Sequence, residues 1–184
     1  MVGAPVRMSH LIRRFEPDDA ERMRSFAMRL PEHDLLFLGR DLRHPRVIEA
    51  WLRAVREGWI DSLVAEDGAE LVGSAALVRD PLGWSPHVGE VRLLVSAERR
   101  GAGLGRDLLD AVLAIAAERG LAKLVAHMTA DQAGAAALFE GVGFRGEALL
   151  RDHVQDRAGR RYDLAVLSFD TARAAARHEA YGLR

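Results

Sequence analysis

The 184 residues contain no cysteine. Disulfides, a thiolate nucleophile and a thiolate metal ligand are therefore excluded. No two histidines stand at metal-ligand spacing, so no metal site is expected. Long apolar runs are missing too. The longest, Ala111 to Ala117, is far too short to span a bilayer. Met1 to His10 lacks the charged-then-apolar layout of a secretory leader. The expected setting is cytoplasmic, with no membrane contact. Excess charge of either sign is also absent. The net charge is −1, which provides no strong field to attract nucleic acid. Lysine is almost missing: Lys123 is the only one among 26 basic residues.

What remains is an ordinary globular balance, 49% hydrophobic and 29% charged. One domain over residues 1–184 is expected, with a core at about 8–169 and a tail or short helix at 170–184. Met8 to Phe15 reads as a first strand. Pro17 and the acids beside it open a helix with Met23, Phe26, Ala27 and Leu30 on one stripe. Residues 31–45 read as irregular. A second helix is expected from Arg46 to Glu57, with Val47, Trp51, Leu52 and Val55 inward. Ser62 to Glu66 and Glu70 to Arg79 form a hairpin through Asp67-Gly68. Val88 to Val95 is the next strand.

Helical periodicity is strongest from Leu104 to Arg119, and Gly120 closes it. Lys123 to Met128 is a strand, so this strand–helix–strand unit implies a right-handed parallel crossover. A short alanine-rich helix follows at 132–140. Strands at Phe144 to Gln155 and Arg161 to Phe169 complete the core. The predicted fold is α/β (α+β): a mixed, mostly antiparallel sheet of about seven strands, one parallel β-α-β crossover, and helices on both faces.

Chemistry concentrates between the Val88 strand and the long helix, in Arg99-Arg100-Gly101-Ala102-Gly103-Leu104-Gly105-Arg106. Glycines let main-chain N–H groups approach an anion, and the helix start adds partial positive charge. Two arginines at the entrance strengthen an anion reading. A dinucleotide fold needs a last glycine where Arg106 stands. A Walker loop needs Gly-Lys-Ser/Thr, which is absent. A methyltransferase loop tolerates the spacing, but such folds place it after their first strand. A plain tight turn that packs helix on strand is the remaining alternative.

Arg100-x-x-Gly103-x-Gly105 resembles the Q/R-x-x-G-x-G/A signature of the GNAT superfamily of N-acetyltransferases. The Gly143-Phe144 pair after a short helix is a second family mark. The resemblance runs from about Val88 to Phe144. It implies acetyl-CoA as cosubstrate and a primary amine, in a small molecule or a protein, as acceptor. Its diphosphate would lie on N–H groups at Gly101, Ala102, Gly103, Leu104 and Gly105, beside Arg106. Arg100 would brace the loop. The pantetheine arm would pair against Leu93, Leu94 and Val95, with Phe139 near the thioester and Gln132, where relatives carry asparagine, a further cofactor contact. Family members are often dimers, so a homodimer is a further expectation.

Without cysteine, direct attack in a ternary complex is the implied mechanism. Glu90 is the first candidate base, and pairing with Arg92 is its structural alternative. His127 is the second; His87 and His153 follow. Many relatives carry tyrosine where Phe139 stands. Phenylalanine has no proton to donate, which leaves water, Ser96 or Tyr162 as sources. It also leaves open a non-catalytic acyl-CoA-binding module. Arg40, Asp41, Arg43, His44, Trp51 and Trp59 are candidates for the acceptor wall.

Overall fold

The computed structural model describes residues 10–171. The expected tail helix lies almost wholly outside them. In chain order the elements are strand β1 (Leu11–Arg14), helix α1 (Ala20–Arg29), helix α2 (Pro45–Arg56), strands β2 (Ile60–Asp67), β3 (Glu70–Arg79) and β4 (Val88–Val95), helix α3 (Leu104–Glu118), strand β5 (Lys123–Thr129), helix α4 (Ala133–Val142), and strands β6 (Arg145–Gln155) and β7 (Arg161–Asp170). Short 3-10 segments occupy Pro17–Asp19, Glu32–Leu38 and Ala97–Arg99. The strands form one seven-stranded sheet in the order β1-β2-β3-β4-β5-β7-β6. Every neighbouring pair is antiparallel except β4 with β5, as the single crossover requires.

Strand side chains alternate between two faces, and the helices divide accordingly. On one face α3 buries Leu104, Leu108, Leu109 and Val112 against Leu77, Val91 and Leu124, with Phe139 and Phe144 completing the layer. On the other, α1 and α2 bury Met23, Phe26, Ile48 and Trp51 against Val64, Ala76 and Leu94. The α1 stripe is the expected one: Met23, Phe26, Ala27 and Leu30 are all buried.

Two expectations need correction. In α2 the innermost pair is Ile48 and Trp51; Val47, Leu52 and Val55 only flank the core. The i, i+3 spacing of the two bulky side chains turns the helix that way. Residues 31–45 are also not simply irregular. Glu32–Leu38 coils into a 3-10 segment that buries Leu35 and Leu38 and stops at Gly39, whose φ is +68°. Its apolar run has to be covered, and a left-handed residue ends it without steric cost.

Edge strand β1 is shorter than predicted, and Leu11 points outward. An ion cluster anchors this corner. Buried Asp19 accepts from Arg13 at 2.6 and 2.8 Å, from Arg22 at 2.9 Å and from the Glu16 N–H at 2.9 Å. The Arg13 guanidinium is the largest influence and holds the Asp19 carboxyl at about 2, below its ordinary 3.8. A depressed native pKa stabilises the fold above the unfolded value, and the gain is lost as pH falls through the native value. Urea midpoints should therefore drop as pH falls from about 4 to about 2. Asp19→Asn should lower the neutral midpoint and flatten that acid dependence.

Candidate functional site

Strands β4 and β5 part company early. Their parallel pairing covers Val88–Lys123 through Val91–Ala126 and then stops. Strand β4 continues to Val95 and β5 to Thr129. From Ala126 to Thr129, β5 stays paired with β7 on its other edge. Residues 92–95 thus turn one row of main-chain polar groups toward a gap, where water or a ligand must satisfy them. A cleft of about 840 Å³ opens there. Val91, Leu93, Leu94 and Val95 line it from β4, and His127 and Met128 from β5.

The glycine loop forms the upper wall. Gly101 has φ +75° and Gly103 +93°, with open space above both. The N–H groups of residues 101–105 have no main-chain acceptor within hydrogen-bonding geometry among the described residues. They stand at the start of the 15-residue helix α3, so its partial positive charge faces the same opening. Gly105 serves packing: a Cβ there would come within 3.1 Å of Leu138 on α4. Leu104 is buried, and Ala102 sits exposed at the loop tip. Neither side chain lines the cleft, so either could contribute only through its main chain.

The two arginines diverge. Arg100 lines the cleft, donates to the Val95 carbonyl at 3.2 and 3.3 Å, and pairs with Asp34. Arg99 is nearly buried and pairs with Asp67 at the β2–β3 turn. Contrary to the expectation of two arginines at the entrance, it is not a cleft residue, and of the two only Arg100 lines the cleft. Arg106 faces the cleft but holds Asp110 at 2.9 Å. At the opposite wall, Gln132 precedes α4 and forms no capping bond with its side chain. Phe139 is buried, edge-on to Phe144 with ring centroids 5.0 Å apart.

Glu90 and His127 come together. Glu90 accepts from Arg92 at 2.8 and 3.0 Å, and His127 Nδ1 lies 3.5 Å from Glu90 Oε1. Burial pushes the Glu90 carboxyl up, but the bonds and charges of His127 and Arg92 outweigh it and hold it at about 2. It remains ionised at neutral pH and is a weak base. His127 lines the cleft, whereas Glu90 stands behind it.

The 3-10 segment Glu32–Leu38 contributes residues the sequence did not single out. Asp34 and Phe37 line the cleft. His33 Nε2 meets Asp131 at 3.0 and 3.1 Å and Thr129 Oγ1 at 3.2 Å, and its ring lies edge-on to Tyr162. Asp41 and Arg43 belong to a network instead of the cleft wall. Arg43 clamps Asp41 and reaches Glu32, while Arg157 of the β6–β7 turn binds both acids. His44 caps α2, Trp51 is core, and Trp59 is at the surface. Neither they nor Arg40 line the cleft. The Tyr162 hydroxyl donates to Asp156 at 2.9 Å.

A family model described as the acetyltransferase (GNAT) family matches residues 21–144, more than half of the chain. The chain belongs to the GNAT acetyltransferase family. N-acetyltransferase 8F1 of Rattus norvegicus is 33% identical over 101 residues, covering 54% of this chain and 44% of that relative. The chain spans less than half the length of the curated relatives it matches. Among solved structures, a ribosomal-protein-alanine N-acetyltransferase from Brucella melitensis is 26% identical at a TM-score of 0.72, covering 87% of this chain and 99% of that one. A Salmonella typhimurium protein described with its cofactor acetyl-CoA shares the fold at TM-score 0.73 and 21% identity, covering 88% and 94%. GNAT membership and the single crossover set aside the methyltransferase alternative, which needs several strand–helix units. Among the described residues no group of three His, Cys, Asp or Glu side chains could hold a metal ion.

The Asp34–Arg100 pair links the 3-10 segment to the glycine loop. Partly exposed pairs are worth up to about 1 kcal/mol. Asp34→Asn should speed hydrogen exchange at the Leu35 and Leu38 amides by at most about fivefold, with global stability nearly unchanged. Unaltered exchange would show that other contacts hold the segment.

Proposed function

We propose that this chain is an acetyl-CoA-dependent N-acetyltransferase acting on a primary amine. The observation that carries the reading is the unpaired edge of β4 leading directly into the free N–H groups of the glycine loop. That arrangement fits an amide-rich arm ending in a diphosphate, the chemistry of coenzyme A. Amides of the arm would add to β4 along Leu93, Leu94 and Val95 as an extra strand. The diphosphate would take N–H groups of Gly101, Ala102, Gly103, Leu104 and Gly105, with Arg106 beside them. Arg100 braces the loop through Val95. Gln132 and Phe139 would flank the thioester end. The likeness to a structure described with acetyl-CoA supports this donor.

Transfer proceeds by direct attack in a ternary complex, since the chain has no cysteine to carry an acetyl group. Neighbouring residues of a strand turn their main-chain groups to opposite edges; Ser96 donates to Val72 on the β3 side, so the Val95 N–H stands on the gap side and is available to the oxygen that gains charge. His127, with Glu90 behind it, handles the amine proton. The acceptor is a small amine or a protein amine; the name of the Brucella melitensis neighbour, a ribosomal-protein-alanine N-acetyltransferase, speaks for a protein. We read residues 1–184 as one cytoplasmic domain that binds neither nucleic acid nor membrane, and a homodimer is a natural assembly. No helix among the described residues is long and apolar enough to cross a membrane.

Phe139 gives substance to a second reading, an acyl-CoA-binding module without turnover. Calorimetry with CoA and thiol release from acetyl-CoA over a panel of amines separate the two. CoA binding with amine-dependent thiol release supports the enzyme. Binding without release supports the module, and absence of binding refutes both. Gly103→Ala should weaken CoA binding about tenfold, because a side chain at positive φ costs roughly 1–2 kcal/mol.

A further inference from the structure

Five ionisable side chains line the cleft: Asp34, Arg100, Arg106, His127 and Asp131. The two guanidinium groups keep their charge at any working pH. Asp34 is paired with Arg100, and Asp131 with His33. His127 alone among them carries a ring nitrogen that can both take and give a proton. Nearby hydroxyls are committed elsewhere. Thr129 is bound to His33, and Tyr162 donates to Asp156. Neither lines the cleft, and Phe139 offers no proton.

The His127 ring is held from behind. Glu90 Oε1 lies 3.5 Å from Nδ1, and an ionised carboxylate can only accept, so the contact favours the imidazole hydrogen on Nδ1. The lone pair of neutral His127 is then on Nε2, the nitrogen turned away from Glu90. Arg92 clamps Glu90 through two bonds and fixes its direction. Strand β7 sets apolar Val166 opposite His127. Of the other ionisable side chains that line the same cleft, Asp34 and Asp131 are acidic, and Arg100 and Arg106 are basic.

We propose that His127 is the single proton carrier of the transfer, taking the proton of the acceptor amine and returning it to the departing thiolate. The proposal rests on the acetyltransferase reading above. The amine nitrogen bonds to the acetyl carbon, and Nε2 takes the nitrogen's proton. The carbon–sulfur bond breaks, and Nε2 gives that proton to sulfur. His127 ends as it began, so no separate acid is needed and a phenylalanine at 139 is tolerated. Glu90 is a positioning residue: it fixes the tautomer and stabilises the imidazolium between the two transfers.

The test uses the full chain, acetyl-CoA and two probe acceptors. One is a primary alkylamine; the other is methoxyamine, which is already neutral at assay pH. His127→Asn keeps an N–H donor toward Glu90 but carries no proton. It should bind CoA within twofold of wild type by calorimetry. Its turnover should fall about 10²–10³-fold with both acceptors, and with methoxyamine, whose nitrogen needs no prior deprotonation, the acid limb of the rate–pH profile should vanish. Glu90→Gln should shift that limb to lower pH and cut kcat about tenfold with little change in KM, an effect a merely structural role would not produce. Turnover of His127→Asn within threefold of wild type overturns the proposal. So does full rescue by methoxyamine, which would leave His127 a base only. Wild type that binds CoA but releases no thiol with either probe also overturns it, leaving the donor site standing. Failure to bind CoA removes the acetyltransferase reading itself.

Discussion

The early end of the β4–β5 ladder is the constraint from which the cleft follows. Two parallel strands joined through a helix would ordinarily pair along their shared length. Here pairing stops at Val91–Ala126 while both strands run on. The polar groups released by the parting cannot be left dry. They make a strand edge inside the molecule, open to an extended amide chain. The glycine loop then starts α3 at the end of that edge, so the free N–H groups lie in line with it. One topological feature thus supplies both an amide-pairing rail and an anion cradle.

The opposite wall depends on the first through a few charges. The 3-10 segment Glu32–Leu38 touches the glycine loop through Asp34 and Arg100. It touches the β5–α4 junction through His33 and Asp131, and the β6–β7 turn through Glu32 and Arg157. Three distant stretches of chain therefore meet on one short coil. Leu35 and Leu38 anchor it in the core beneath. Donor side and acceptor side are separate in sequence but mechanically joined.

Much of this was legible in the chain itself. Glycines at 101, 103 and 105 and the apolar period after Leu104 mark the loop and α3 because local sterics and burial dictate both. The Asp67-Gly68 hairpin and the single crossover are local as well, and they nearly determine the sheet. What stayed hidden depends on long-range contact. Arg99 and Arg100 are neighbours in sequence, yet one turns to Asp67 and the other to Asp34. The 3-10 segment has no strong period to betray it, so Asp34 and Phe37 went unnoticed as cleft residues. Ile48 displaced Val47 from the core because α2 rotates to seat Trp51. Glu90 and His127 were both visible as candidates. Their contact depends on the register of the parallel pair, which no spacing in the sequence records.

The most direct measurement is a CoA titration of the isotopically labelled chain, following backbone amide signals by nuclear magnetic resonance. The account predicts large, saturable shifts at residues 93–95 and 101–105, with slowed amide exchange at the glycine loop. Saturable binding that leaves those signals in place and moves others would contradict it.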